Sequence, residues 1–365
     1  MGIVHLTAGT ELTQTEDDAT NRHTVDNLSK NAIINGCFRV SQRGTSFTSA
    51  TIPANSDDTY LLDRWILLSD GNDIVDVSQE TDATIANPSH NIKLDVETAN
   101  KKFGIITILE QKDSRRFIGQ TVSLSFKAKI TGTTINAIRA AVLSWSSTAD
   151  TVTSDVVNAW GGAGTNPTVV ANWNLENTPA ALTAPTTSWA TYKIEGIAID
   201  TASATNIAVF IWTDDVTMDI GDFLHIADVQ LEIGSVATAF EFRPYQQELD
   251  LCQRYCYVPL ANNPYDVFGN GYINADAGLI AFIFVPLPVT MRIAPTFTVT
   301  TVGSFALQTG AATITALTDL TQTRANYNSS WLSATVGGDV GSVGDGCFLV
   351  ANNQVTERFS FTAEL

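Results

Sequence analysis

Apolar and polar positions alternate along short stretches of this chain. In Ser123-Leu124-Ser125-Phe126-Lys127-Ala128-Lys129-Ile130 every even position is apolar and every odd position is polar. That period of two buries one face of a β-strand. Similar runs follow one another from Asn31: AIING, RWILL, IVDVS, IKLDVE, FGIITILE, VSLSFKAKI, IRAAVLSW, TYKIEGIAI, IAVFIW and FLHIADVQLEI. They are rich in Val, Ile, Thr and aromatics, and clusters of Gly, Asn, Asp, Pro and Ser separate them. With no convincing helix between them, the pattern predicts a two-sheet sandwich over a parallel α/β fold. The Gly/Asn/Pro-rich stretch 148–185 reads as extended loops at one end of that sandwich.

After Phe242 the period changes. Tyr245, Leu249, Cys252 and Cys256 recur at the spacing of one helix face,. Pro244 suits a first turn, where no N–H is needed, and Pro259 ends the element. From Ile273 the β pattern resumes through LIAFIFV, FTVTTV, ATITAL, CFLVA and RFSFTAEL. Residues 1–30 differ again. Thr13 and Glu16 fit a capping box, Asp17 and Asp18 suit the positive end of a helix dipole, and the apolar stripe beyond is thin. The expected organisation is an all-β chain: an attachment arm (1–30), a jelly-roll sandwich (31–243), a helical joint (244–258) and a second, smaller β-sandwich domain (259–365).

Composition narrows the function classes. The chain has 365 residues, enough for more than one core,. Charged residues make up 16%, well under the ~25% of an average soluble protein, so the surface is polar but largely uncharged. The formal charge of −18 argues against nucleic acid and anionic membranes as partners,. The one basic cluster, Lys112, Arg115 and Arg116, is small and flanked by Asp113. The most apolar window, 279–289, is too short to cross a bilayer and contains Pro286 and Pro288. The first residues lack a signal-peptide pattern, and Cys37, Cys252, Cys256 and Cys347 do not make a disulfide framework. The expectation is a reduced protein made in a cytoplasm.

Several blocks, taken in order, carry a resemblance: NAIINGCFRVSQRGTSF (31–47), LLDRW (61–65), ADVQLEIGSVATAFEFRPYQQELDLCQRYCY (227–257), VPLPVTMRIAPTFTV (285–299) and the terminal FTAEL. Jointly they resemble virion proteins of tailed bacteriophages, of the fibre or receptor-binding type, with a carbohydrate-binding-module-like jelly roll. Ala239 stands where proline would be expected. The resemblance implies a jelly roll, a helical joint, a C-terminal β domain and a homotrimer. It further implies a place in the virion, assembled in the host cytoplasm, with residues 1–30 docking on a portal, tail, baseplate or capsid protein. Related jelly rolls often carry a structural calcium, and Asp228 falls where a ligand would be. However, Arg39 stands where a carboxylate often follows the NG-x-F element.

Candidate site residues follow from side-chain chemistry. Among Trp145, Trp160, Trp173, Trp189 and Trp212, the loop residues Trp160 and Trp173 with Asn172 and Asn174 form one candidate glycan patch, since sugar C–H faces stack on flat rings. Trp212 follows an apolar run and belongs in a core. Asp63-Arg64-Trp65 reads as a buried strand start with Arg64 bonded to a carboxylate or carbonyls. Tyr327 and Trp331 lie in 323–346, read as the exposed tip of the second domain, either binding glycan or packing on a symmetry mate. Tyr245, Leu249, Cys252 and Cys256 are assigned to the joint or a trimer contact.

Catalysis finds little support. A glycosidase needs two paired carboxylates, and Asp57, Asp58, Asp214, Asp215, Glu232 and Glu241 show no pairing in sequence. His5, His23, His90 and His225 come with no G-x-S-x-G. The expected function is a non-enzymatic fibre or receptor-binding protein that binds a host-surface glycan. The alternatives are a capsid decoration or head-fibre protein, and a glycan depolymerase.

Overall fold

The computed structural model describes residues 30–365 apart from 86–89, 183–184, 202, 215–216, 275–278, 311–312 and 356. The attachment helix expected within 1–30 lies outside the described residues, as do His5, His23 and Asp215. The first part of the chain forms β1 (Ser46–Phe47), β2 (Thr59–Tyr60), β3 (Ile66–Ser69), β4 (Val75–Thr81), β5 (His90–Val96) and β6 (Phe103–Ile108). A helical turn, α1 (Gln111–Ser114), precedes β7 (Thr121–Thr131) and β8 (Ile138–Trp145). Then come β9 (Val157–Ala159), β10 (Thr168–Val169), β11 (Trp173–Leu175), β12 (Ala190–Ala198), β13 (Asn206–Thr213) and β14 (Phe223–Ile233).

Twelve of these strands build two six-stranded sheets, β1-β4-β5-β14-β7-β12 and β11-β8-β13-β6-β3-β2, packed as a jelly-roll sandwich, while β9 and β10 pair separately. The alternation in β7 does what it predicts: Leu124, Phe126, Ala128 and Ile130 enter the core between the sheets. The first sheet keeps its other face polar. The second is buried on both sides, which is why β6, β8 and β13 read as unbroken apolar runs,. Its outer face carries a separate apolar cluster of Ile106, Leu143, Ala208, Phe210 and Trp212, closed over by Val156, Trp160 and Trp173. The segment 148–185 therefore folds across a sheet face rather than extending from one end. An apolar face that wide has to be covered, and this segment supplies the aromatic rings that cover it. Buried cations fasten it: Lys102 Nζ donates to the Gly162 and Thr165 carbonyls, at 2.7 and 3.0 Å. Arg139 donates to the Pro179 and Gly164 carbonyls, at 2.8 and 3.0 Å.

The joint helix, α2 (Tyr245–Gln253), leads into β15 (Cys256–Tyr257). Beyond it lie β16 (Val267–Ile273), β17 (Ile280–Pro286), β18 (Thr296–Val299), β19 (Phe305–Thr309), β20 (Thr313–Asn326), β21 (Ser329–Val336), β22 (Gly346–Ala351) and β23 (Phe359–Thr362). This second β unit was expected as a sandwich. Instead, six of its strands close into a barrel, β16-β17-β21-β20-β19-β22, beside a three-stranded sheet, β15-β23-β18. Closure leaves no free strand edge. Gly271 permits it, because a Cβ there would lie 1.7 Å from the Phe282 carbonyl oxygen of β17. Phe305, Phe359 and Phe361 join Ile283, Leu307, Leu332 and Leu349 in the barrel core. The stretch 323–346 is not one loop: β20 and β21 form a hairpin turning at Tyr327-Asn328, and only 337–345 is irregular. No described helix is long and apolar enough to cross a membrane.

Candidate functional site

The blocks that carry the phage resemblance lie far apart in sequence and meet at one place, the junction of sandwich and barrel. Glu364, from the terminal block, accepts from Arg43 Nη2 at 2.8 Å and from Arg64 Nη1. Arg64 is 2% exposed, donates also to the Ile108 carbonyl, and lies over the Tyr255 ring with 3.7 Å from guanidinium carbon to centroid. The Tyr255 hydroxyl donates to Glu110 at 3.0 Å, and Arg254 grips both oxygens of the same carboxylate at 2.9 and 3.1 Å. Gln42 ties Asp63 to the Cys256 carbonyl, with both Nε2 contacts at 2.7 Å. On the barrel side Arg292 donates to the Ala363 carbonyl at 2.7 Å and to that of Glu364.

Local geometry prepares this network. The NG turn places Gly36 against the last sandwich strand, where a Cβ would meet the Val229 carbonyl oxygen at 2.2 Å. Asn35 then uses its amide to hold the Val40 and Asp63 carbonyls, at 2.8 and 2.9 Å. Trp65 is buried and donates to the Asn35 carbonyl at 3.0 Å. Such charge-assisted bonds in a dry interior hold one geometry, although Arg43 Nη1 and Arg64 Nε find no hydrogen-bond partner among the described residues, and losing the shared carboxylate leaves buried charge uncompensated.

The joint helix faces this network differently from the expected stripe. Its buried residues are Glu248 and Cys252, while Tyr245 is 47% exposed and Leu249 half-buried. Glu248 is drawn in because it pairs with Arg243 at 3.2 Å and accepts the Asn35 N–H. Tyr245 instead lies under the Arg39 guanidinium, 5.3 Å away. The helix ends before Cys256, which sits in β15 paired with Thr362 of β23. Cys252 and Cys256 are buried, and burial pushes both thiols far above their ordinary range. They pack the junction and are not poised as nucleophiles.

The expected glycan residues separate. Trp173 is 3% exposed and packs on Trp145, and Trp160 is 9% exposed against Phe210. Their rings cover the sheet and present no open face to a sugar. Asn172 and Asn174 are exposed, but without those platforms. Trp189 is half-buried, its indole N–H donating to Asp82 at 2.9 Å. Tyr327 is 53% exposed at the hairpin turn. That turn is not an outer tip: the Met291 N–H donates to the Tyr327 carbonyl at 2.8 Å, and the next residue, Arg292, bonds the Arg254 carbonyl. The turn therefore lies at the joint end of the barrel.

Trp331 belongs to a band that sequence alone did not reveal. Across the outside of the barrel the register sets Gln308, Phe348, Asn270, Phe284, Trp331 and Arg324 side by side on successive strands. Phe348 is 48% exposed, and Phe284 and Trp331 meet edge to face at 5.6 Å. In the neighbouring row Tyr272 pairs with Phe282. Rings interleaved with amides and a guanidinium form a surface suited to polyhydroxylated ligands, with apolar faces for C–H groups and planar polar groups for hydroxyls. The visible signal was the alternation in Trp331-Leu332-Ser333-Ala334-Thr335-Val336, which marks a strand.

The other candidates resolve plainly. The Asp228 carboxylate is 2.7 Å from Lys127 Nζ, and no described group of three His, Cys, Asp or Glu residues could hold a metal ion. Arg39 stacks on Phe242 at 5.0 Å. A hard cation needs several oxygens, charged ones among them, so these residues do not fit the calcium that the resemblance brought into view. The carboxylates weighed for catalysis are engaged within the fold: Glu232 with Thr238, Glu241 with the Asn31 N–H at 2.6 Å, Asp214 with Arg139 at 2.8 Å, and Asp57 with the Ser69 N–H at 2.7 Å.

No family model matches the chain, and no curated protein matches it by sequence. Among solved structures it is similar to the enzymatically active domain of tailspike protein 4 of bacteriophage CBA120, at 14% identity and a TM-score of 0.34 over 56% of this chain. The chain spans 22% of that tailspike. A xylan-binding domain of carbohydrate-binding module family 22 aligns at 16% identity and a TM-score of 0.30, over 50% of this chain and 95% of that one. A cyclase from Fischerella sp. TAU aligns at 12% identity and a TM-score of 0.32, over 56% and 97%.

Proposed function

We propose that this chain is a non-enzymatic structural protein of a tailed-bacteriophage virion. In this reading it is a homotrimeric fibre or receptor-binding protein, held to the particle by residues 1–30. Its barrel presents the Phe348–Asn270–Phe284–Trp331–Arg324 band to a host-surface glycan. The observation that carries the reading is the junction. All the blocks of the phage resemblance supply residues to one buried weld between two β units, and none supplies a cluster poised for chemistry. A welded pair of β bodies suits a part that transmits position and force. Weak sugar contacts would then be multiplied by valency, since linked sites act at high effective concentration.

The test has two arms. Labelling the protein on intact virions places it on a fibre, baseplate or tail if the reading holds, and over the capsid shell if it is a decoration protein. Purified protein on host-glycan arrays binds at least one glycan, and Trp331→Ala weakens that binding at least tenfold. Absence of any glycan binding would overturn the receptor half. A solution mass near three chains is expected.

A further inference from the structure

A second site lies on the sandwich, away from the barrel band. The outer face of the first sheet opens into a groove of about 510 Å³, within the range of roughly 300–1,000 Å³ typical of small-ligand sites. Its floor is Ser125 and Lys127 of β7, Thr191 and Lys193 of β12, and Asp228 of β14, and Phe240 stands at its wall. The floor follows from register: Thr191 pairs with Lys127, Lys193 with Ser125, and a bulge in β14 between Ala227 and Gln230 projects Asp228 between them.

Asp228 is the unusual residue. Its backbone has a φ of 51°, a conformation uncommon for a residue other than glycine,. Its side chain is 5% exposed. Oδ2 accepts from Lys127 Nζ at 2.7 Å, whereas Oδ1 has no hydrogen-bond partner among the described residues. Folded proteins rarely leave a buried carboxylate oxygen unpaired, and backbone conformations of this kind cluster where a ligand is held. Burial raises the Asp228 carboxyl above its ordinary range and the Lys127 ammonium pulls it back in part, so a donor on Oδ1 would favour the ionised form.

We infer that this groove binds a neutral saccharide, with vicinal hydroxyls bridging Asp228 Oδ1 and Lys127 Nζ and a C–H face against Phe240. Charge selects the neutral class. Lys127 is balanced by Asp228, and Lys193 by Glu195 at 3.8 Å, so the floor offers no net charge to an anion. A metal cation would meet the Lys127 ammonium already on the same carboxylate. Thr191 is exposed and Ser125 adds a second hydroxyl, which gives the sugar both donors and acceptors along the floor. The inference extends the glycan reading of the protein to a second surface and rests on that reading only for the ligand class.

Calorimetric titration of the full-length protein with a panel of neutral hexasaccharides (gluco-, xylo-, manno- and galacto-configured) tests it. The expected result is saturable binding of at least one member, weakened at least tenfold by Asp228→Asn and abolished by Thr191→Trp, which fills the groove from an exposed position. Ile220→Ser, an exposed substitution elsewhere on the sandwich, leaves that binding unchanged. Binding lost with Trp331→Ala but untouched by both groove variants would overturn the inference and leave the barrel reading intact. Binding lost in the groove variants, with glycan binding that Trp331→Ala nowhere weakens, would uphold the inference and overturn the barrel reading. No binding across the panel, or a calcium-dependent rise in melting temperature that Asp228→Asn removes, would also overturn it.

Discussion

The sandwich and the barrel solve one problem in two ways. Each must satisfy every buried backbone group. The barrel does so by closing its ladder, and among the described residues no ion pair joins two barrel side chains; its one ion-pairing residue, Glu364, reaches across to the sandwich. The sandwich carries an irregular cover segment and fastens it with buried cations, Lys102 on the Gly162 and Thr165 carbonyls and Arg139, itself paired with Asp214, on those of Gly164 and Pro179. Charge is spent where the fold is irregular and left out where geometry closes on itself. The sandwich and the junction should therefore respond to pH and to single charge deletions, and the barrel to volume changes in its wall.

The largest expected effect is at the junction. Glu364→Ala leaves Arg43 and Arg64 buried without their shared carboxylate, a loss of about 3–5 kcal/mol. Urea unfolding should show it as an earlier onset and a shallower overall slope, as one cooperative transition gives way to two.

Next comes acid. Burial, together with Lys129 and Lys93, lowers the His225 pKa from its ordinary value to about 4. The unfolded chain binds a proton below pH 6.5 that the folded chain refuses. Stability therefore falls as pH drops from about 6.5 to about 4, by at most about 3 kcal/mol at ~1.4 kcal/mol per pH unit, and the loss levels off below that. His225→Gln flattens this profile. Six of the seven tryptophans lie in the sandwich, so tryptophan fluorescence follows the half expected to respond.

Gly271→Ala tests the barrel in turn. The added Cβ meets backbone, and overpacking of this kind costs about 1–3 kcal/mol, with no pH dependence between 4 and 7. Smallest of all, Tyr327→Ala removes an exposed ring and should change stability by no more than about 0.5 kcal/mol.

Much of the fold was legible because its periods are strict. The alternation of β7 and the unbroken runs of β6, β8 and β13 report which faces are buried, and these follow from local sequence. The face of α2 was not legible. Leu249 looks like the core residue and Glu248 like the solvent one, until Arg243, just before the helix, and the Asn35 N–H, remote in sequence, draw the carboxylate inward. The tryptophans of the cover segment misled for a similar reason: aromatics in a Gly/Asn-rich stretch look like a binding loop, and only the apolar outer face of β8 and β13 shows what they cover. The barrel band and the Asp228 groove depend on register and on one bulge, which no single strand records. The junction was half visible. Its blocks stood out by resemblance, but their meaning as a weld required Glu364, a charge two residues past the terminal strand, to find Arg43 and Arg64.

The claim on which the account rests is that this weld makes sandwich and barrel one cooperative unit. Scanning calorimetry of the wild-type protein beside Glu364→Ala tests it directly. The account predicts a single wild-type transition that the variant splits into two, with the barrel and the sandwich melting apart. Two separate transitions in the wild-type protein, or a variant that melts once at the wild-type temperature, would contradict it.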